Sequence, residues 1–199
     1  VGELNHRVKN TLATVQAIAS QTLSDSATMK EAREAFDSRL SGLATAHDLL
    51  TRGNWAGADL VDVVTDTVQP HAGGENRFRI EGPHIQLEPG PALSLAMALH
   101  ELCTNAAKYG ALSTKDGHVD IVWRLTNNGQ DRRLQMRWNE SDGPVVVVPT
   151  RKGFGSRLIE RALAMELGGD VAIAYEASGV ICTIDAPMPV GDKQGPDGS

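Results

Sequence analysis

The spacing of apolar residues changes once along this chain, and the change divides it. Leu4, Val8, Leu12, Val15 and Ala19 recur at steps of three or four, tracing one seam of a helix. Met29, Ala32, Phe36, Leu40, Leu43, His47 and Leu50 repeat the pattern, with His47 expected at a buried or edge position, so two helices of about 20 residues form a hairpin. Such a hairpin buries little alone, and its seams require either a second hairpin or the rest of the chain. The run from Arg52 to Gly57, with two glycines, reads as a linker.

Beyond the linker the pattern is mixed. Leu60, Val63, Val64 and Val68 predict a helix, residues 78–80 and 85–87 short strands, and Pro91 the first turn of a long helix through Tyr109. Alternation at 119–125 and 134–138 around Asn127-Asn128-Gly129-Gln130 predicts a hairpin. A helix over 156–167 precedes a last hairpin, 171–176 and 180–185. Hairpins with helices between them predict an α+β fold, a mixed sheet covered by helices on one face. The expected division is a helical hairpin over 1–52, an α+β unit over 58–189, and a polar, glycine-rich tail over 190–199 that is expected to be disordered.

Charge and cysteine usage narrow the partners. A net charge of −6 leaves no basic footprint for nucleic acid or an anionic membrane. No apolar run reaches the roughly 18–20 residues of a membrane span, and no secretory leader is visible, so the expected location is cytoplasmic. Cys103 and Cys182 fall inside apolar stretches at a spacing suited to neither a disulfide framework nor zinc, and are expected to be reduced core residues. The chain opens at Val1-Gly2-Glu3 directly into helix periodicity, which reads as a module cut from a longer parent that could itself be membrane-anchored.

Three places carry chemistry. His6 lies two residues from both Leu4 and Val8, on roughly the opposite face of the first helix, beside Glu3, Lys9 and Asn10. In the long helix Leu95, Leu99, Leu102, Ala106 and Tyr109 form the expected core seam, while Glu101, Asn105 and Lys108 stand at i, i+4 and i+7 on another face. An amide oxygen suits magnesium shared with nucleotide phosphates, an amine neutralises phosphate, and a carboxylate accepts a proton or orients water. On the strand ending at Glu140, alternation sets that carboxylate on the helix-covered face with Trp138, where it requires donors such as the exocyclic amine of adenine; Asp142 is its rival. Gly153-Phe154-Gly155-Ser156 then feeds a helix N-terminus, whose free N–H groups suit phosphate. Taken singly, each has a plainer reading: a solvated helix face, a strand end, a glycine before a helix. Neither the dinucleotide fingerprint nor the Walker pattern is present.

Together these segments resemble the catalytic region of the HWE-type sensor histidine kinases, over about residues 3–187. ELNHRVKNTLATVQAIA from Glu3 resembles the H-box, LAMALHELCTNAAKYGALS from Leu95 the N-box, WNES from Trp138 the Trp-x-Glu segment, and GFGSRLIERALAMELGG from Gly153 the second glycine box. His100, Trp138 and Glu140 match the residues that name the family. The resemblance implies a dimerisation and phosphoacceptor hairpin followed by a Bergerat-type (GHKL) ATP-binding domain. It implies His6 as phosphoacceptor, Glu101 as catalytic carboxylate, Asn105 as ligand of Mg2+, Lys108 on phosphate, and Glu140 on adenine. Gly143, Gly153, Phe154, Gly155 and Ser156 would line the ATP site. Asp142 stands where the family commonly has glycine, which divides the adenine contact between Glu140 and Asp142, and the short segment 143–152 implies a reduced lid.

The implied reaction is ATP-dependent autophosphorylation of His6, then transfer to an aspartate of a response-regulator receiver domain. The implied assembly is a homodimer through the hairpin, with a sensor domain N-terminal to this chain. A histidine phosphotransferase with a degenerate second domain is the first rival, and intact Glu101, Asn105, Lys108 and Gly153-Phe154-Gly155 argue against it. A GHKL-type ATPase or serine-kinase switch is the second, and a presented His6 on its own hairpin argues against that. A purely structural dimerisation module leaves the row Glu101, Asn105, Lys108 unexplained.

Overall fold

The computed structural model describes the backbone of residues 2–25, 28–53, 55–74, 77–128, 131–149 and 154–188; side chains of residues 2–8, 10, 21, 24, 25, 128 and 154 lie outside that description. Helices α1 (Gly2–Asp25) and α2 (Met29–Arg52) run antiparallel as a hairpin. Thr28 starts α2 with a capping box: its hydroxyl accepts from Glu31 N and the Glu31 carboxylate accepts from Thr28 N, each at 3.2 Å. Two-residue strand β1 (Ala58–Asp59) leads into α3 (Leu60–Val68), where the Asp59 carboxylate accepts from Val61 N at 2.8 Å.

After β2 (Phe78–Glu81) and β3 (Gln86–Leu87) comes the long helix α4 (Pro89–Tyr109), opened by proline in its first turn. Strands β4 (His118–Asn128) and β5 (Asp131–Ser141) form a long hairpin, and β6 (Asp170–Glu176) with β7 (Gly179–Met188) a second. The main sheet has order β2-β4-β5-β7-β6 and is mixed, because β2 runs parallel to β4 while every other pair is antiparallel. Ile121, Trp138 and Cys182 stand in register on its inner face, beneath α3, α4 and the last helix. The α+β architecture is the expected one.

Helix α4 is the centre of the molecule. Its continuous stretch Leu95-Ala96-Met97-Ala98-Leu99 is buried throughout, because the sheet lies on one side and α2 on the other. The chain's own α+β unit therefore covers Leu43, Ala46, Leu49 and Leu50 of the hairpin.

That docking buries Ala32, Leu43 and Leu50 of the expected α2 seam and departs from the expected seams at other positions. On α1, Leu12 is 59% exposed while Ile18 and Thr22 are buried; on α2, Met29 and Leu40 are exposed while Gly42, Ala46 and Leu49 turn inward. His47 is exposed and meets Trp55 edge-on, ring centroids 4.9 Å apart, with Ala46 taking the buried place. Tyr109 is exposed, although Ala106 and Gly110 of the same turn are buried. The strand expected over 85–87 is confined to β3, which pairs with β1 outside the main sheet. The helix expected over 156–167 is three pieces, α5 (Phe154–Arg157), a π-helical stretch Leu158–Leu163, and α6 (Ala164–Leu167), ended by Gly168 at φ 61°. Cys103 and Cys182 are free and buried, and burial pushes the Cys182 thiol up to about 12. Among the described residues no helix is long and apolar enough to cross a membrane. The tail 190–199 lies outside the described residues.

Candidate functional site

The C-terminal half of α4 carries the site. Glu101 is 7% exposed, whereas Asn105 and Lys108, one and two turns further on, are exposed. The row is not one solvated face; it runs from beneath the hairpin out to the surface. Gly155 of α5 packs against its buried end: a Cβ there would lie 2.7 Å from Glu101 Oε2 and 3.5 Å from Asn105 Nδ2. The absence of a side chain favours this approach, and the glycine-bearing turn and the polar row meet in space as neighbouring segments. Gly153 and the side chain of Phe154 lie outside the described residues. Ser156 Oγ is 3.2 Å from the Tyr175 hydroxyl.

The Glu140 segment meets the end of α4. Glu140 is 4% exposed, with Oε1 accepting from Trp138 Nε1 at 3.2 Å and Oε2 from Ala111 N at 2.9 Å. Burial raises its pKa, and the two hydrogen bonds oppose the shift. Three glycine contacts close this corner: a Cβ at Gly110 would lie 2.0 Å from Glu140 Oε2, one at Gly143 2.7 Å from Ala111 Cα, and one at Gly179 2.0 Å from Glu140 O. Asp142 turns the other way. It holds φ 58°, a left-handed position that suits glycine, and its exposed carboxylate is 3.2 Å from His118 Nδ1. The two rival carboxylates thus have separate surroundings, one inside and one outside.

The hairpin closes over the buried end of the row. Arg39 Nε donates to Glu101 Oε1 at 3.0 Å, and the same guanidinium donates through NH1 to Thr22 Oγ1 at 2.6 Å. Thr22 in turn donates to Ile18 O at 2.6 Å. Beside this pair, Ser38 Oγ is 3.2 Å from His100 Nε2, and the imidazole lies so close to Gly42 that a Cβ there would be 2.8 Å from its ring. His71 meets His100 edge-on at 5.2 Å. Burial holds both histidines below their ordinary pKa, with the neighbouring His100 adding to the effect at His71 and the Ser38 contact opposing it at His100.

Residue patterns alone do not single out Arg39, Ser38, Gly42 or Thr22. Arg39 reads as one charge on a solvated helix, and only Gly42 signals itself, since a glycine inside a helix calls for a packing reason. His6 lies in α1, and its side chain is outside the described residues. The fit of a nucleotide with Mg2+ rests on donor chemistry: an exposed amide oxygen, an exposed amine one turn away, and the backbone of a glycine close beside them. Among the described residues no cluster of three or more metal-ligating His, Cys, Asp or Glu side chains forms.

Residues 3–84 match the family described as HWE histidine kinase. Proteins named blue-light-activated histidine kinase from Brucella ovis and Brucella anthropi are 39% and 38% identical over 187 residues, 94% of this chain. The chain spans 38% of the length of those relatives. Among solved structures, the blue-light activated histidine kinase of Erythrobacter litoralis superposes with a TM-score of 0.62 at 16% identity, covering 93% of this chain and 60% of that one. The histidine kinase domain of the same protein gives 0.55 at 16% identity, covering 88% and 82%. Both likenesses concern the fold.

Proposed function

This chain belongs to the HWE histidine kinase family, and from that premise we propose that it transfers the γ-phosphoryl group of ATP to His6, then to an aspartate of a response-regulator receiver domain. The observation that carries the reading is the meeting of Gly155 with Glu101 and Asn105, which joins a glycine turn to an acid-amide-amine row on one helix. In this reading residues 1–52 are the dimerisation and phosphoacceptor hairpin and 58–189 the ATP-binding domain of a cytoplasmic enzyme.

Asn105 holds Mg2+, Lys108 neutralises phosphate charge, and Gly153, Phe154, Gly155 and Ser156 offer backbone N–H groups to the phosphates. When bound, Mg2+ supplies charge neutralisation on the phosphate oxygens. Gly143 and Glu140 line the adenine end. Glu140 is the better adenine contact of the two carboxylates: each of its oxygens keeps a second lone pair, whereas the Asp142 side chain is turned to His118.

In the transfer step an unprotonated imidazole nitrogen of His6 forms a bond to the γ-phosphorus. The bond from that phosphorus to the bridging oxygen breaks, and ADP leaves with the electron pair. Neutral imidazole is a competent nucleophile near pH 7, its pKa being about 6.5. A base therefore need only hold the other ring N–H, a role we assign to Glu3, three residues before His6 in the sequence. Glu101 is the alternative once it is free of Arg39. Replacing His6 by Gln should abolish labelling from γ-labelled ATP while ATP affinity is retained, and label that persists in that variant overturns the assignment.

A further inference from the structure

One of the two hydrogen bonds that Glu140 accepts comes from a loop, so the carboxylate is only as well placed as that loop. Residues 110–117 join the end of α4 to the start of β4 and cross the ends of three strands, where Phe78, Val119 and Glu140 stand in register. On the β5 side the loop is pinned at Ala111. Its N–H donates to Glu140 Oε2 at 2.9 Å, and Gly143 packs so closely that a Cβ there would lie 2.9 Å from the same nitrogen.

On the β2 side the loop is pinned by Arg77, a half-buried residue immediately before that strand. Arg77 Nε donates to Gly117 O at 2.7 Å and Nη2 to Thr114 O at 2.8 Å, with Ala111 O 3.4 Å from the same Nη2. Val119 N donates to Arg77 O at 3.0 Å, which ties the backbone of the arginine to β4. A guanidinium fork is planar and rigid, so it sets the two carbonyls at a fixed separation, which the point charge of a lysine does not do. Within the loop Thr114 Oγ1 accepts from Gly117 N at 3.1 Å, and a Cβ at Gly117 would stand 1.9 Å from Ala111 O. The turn closes around Ala111, strung between an arginine at the sheet edge and a buried carboxylate.

We propose that Arg77 is a positioning residue for base recognition: by clamping residues 111–117 it aims the Ala111 N–H at one oxygen of Glu140 and leaves the remaining lone pairs of the carboxylate for the exocyclic amine of adenine. Arg77 acts through Ala111 and is not itself a catalytic residue. Without the clamp the Ala111 N–H is no longer held, and the carboxylate turns about its terminal torsion, which has only broad intrinsic preferences. Recognition of the amine is then lost, while phosphate binding at Asn105, Lys108 and Gly155 remains. The proposal rests on the reading of Glu140 as the adenine contact given above.

Two ligands that differ only in that amine test it: ATP and purine riboside 5′-triphosphate, each titrated with magnesium into the whole chain by calorimetry. The native protein should bind ATP about tenfold tighter or more, the order expected for a hydrogen bond to a charged group. In Arg77→Met the ratio should fall to about two or less, with affinity for the purine riboside triphosphate within about twofold of native. Arg77→Lys keeps the charge without the fork and should give an intermediate ratio; it carries the test if circular dichroism shows the methionine variant unfolded. A residue that only stabilises the fold would weaken both nucleotides together. A native ratio in the folded variants therefore overturns the proposal and leaves Glu140 as the adenine contact. Equal affinities in the native protein overturn the adenine reading of Glu140, and the proposal with it, without bearing on transfer to His6. If the native chain binds neither nucleotide, the ATP reading falls and takes the proposal with it.

Discussion

Glycine at position 110 is the residue on which the corner of the site turns, and replacing it by alanine gives a worked test of that geometry. The new Cβ would lie 2.0 Å from Glu140 Oε2 and 3.0 Å from Ala106 Cα. The carboxylate must retreat by more than about 1 Å to reach a normal non-bonded separation. That breaks its 2.9 Å bond from Ala111 N and leaves a buried donor and a buried acceptor unsatisfied, at about 1–3 kcal/mol. Overpacking against Ala106 adds about 1–3 kcal/mol. The reduced freedom of alanine in the unfolded chain returns roughly 0.5–1 kcal/mol. The net loss is about 1–5 kcal/mol, or a fall in Tm of roughly 2–20 °C for a chain of this size. The assay is denaturant unfolding of the single variants and of the pair with Glu140→Ala. Without the carboxylate the methyl meets only Ala106, so Gly110→Ala should cost at least about 1 kcal/mol less in that background. Costs that add to within about 0.5 kcal/mol would refute the proposed clash.

Asn105→Asp should lose both magnesium-dependent ATP binding, measured by calorimetry, and labelling, because it alters the one amide on the row. Asp142→Gly should raise stability in urea by about 0.5–1 kcal/mol, since glycine is at ease at φ 58°, and should leave ATP affinity unchanged if Glu140 is the adenine contact. The depressed pKa values of His71 and His100 mean that the unfolded chain binds protons more readily than the folded one. Their contribution is therefore present above about pH 6.5 and is lost as pH falls through the folded values, so urea midpoints should drop across that range and His100→Asn should flatten the drop. Thr28→Ala removes the capping box of α2 and should cost about 1 kcal/mol by the same measurement.

Much of this architecture is written in local patterns. The period of three to four in the hairpin, the alternation of β4 and β5, and proline at the start of α4 are one-dimensional signals, and the elements follow them. Glu140 facing inward with Trp138 also follows from alternation alone. Which side of a helix is buried is a different matter. The seams expected on α1 and α2 assume that each helix packs on its most apolar stripe, whereas the hairpin buries Gly42 and Ala46 beside the expected Leu43 and Leu50 and leaves Leu12 and Met29 exposed. That choice depends on the surface presented by a helix some fifty residues later, which no local window contains. For the same reason Glu101 reads as one of three residues on an open face, while its burial comes from Arg39, 62 positions earlier. The polar contacts between hairpin and α+β unit are long-range, and they are the part of the site that periodicity does not carry.

The measurement that bears most directly on the central claim is incubation with γ-labelled ATP and magnesium, followed by division of the labelled protein between acid and alkali and mapping of the labelled peptide. A phosphorus-nitrogen bond on imidazole is lost in acid and kept in alkali, and the account predicts that behaviour on the peptide containing His6. Label that survives acid, or that maps to any residue other than His6, contradicts it.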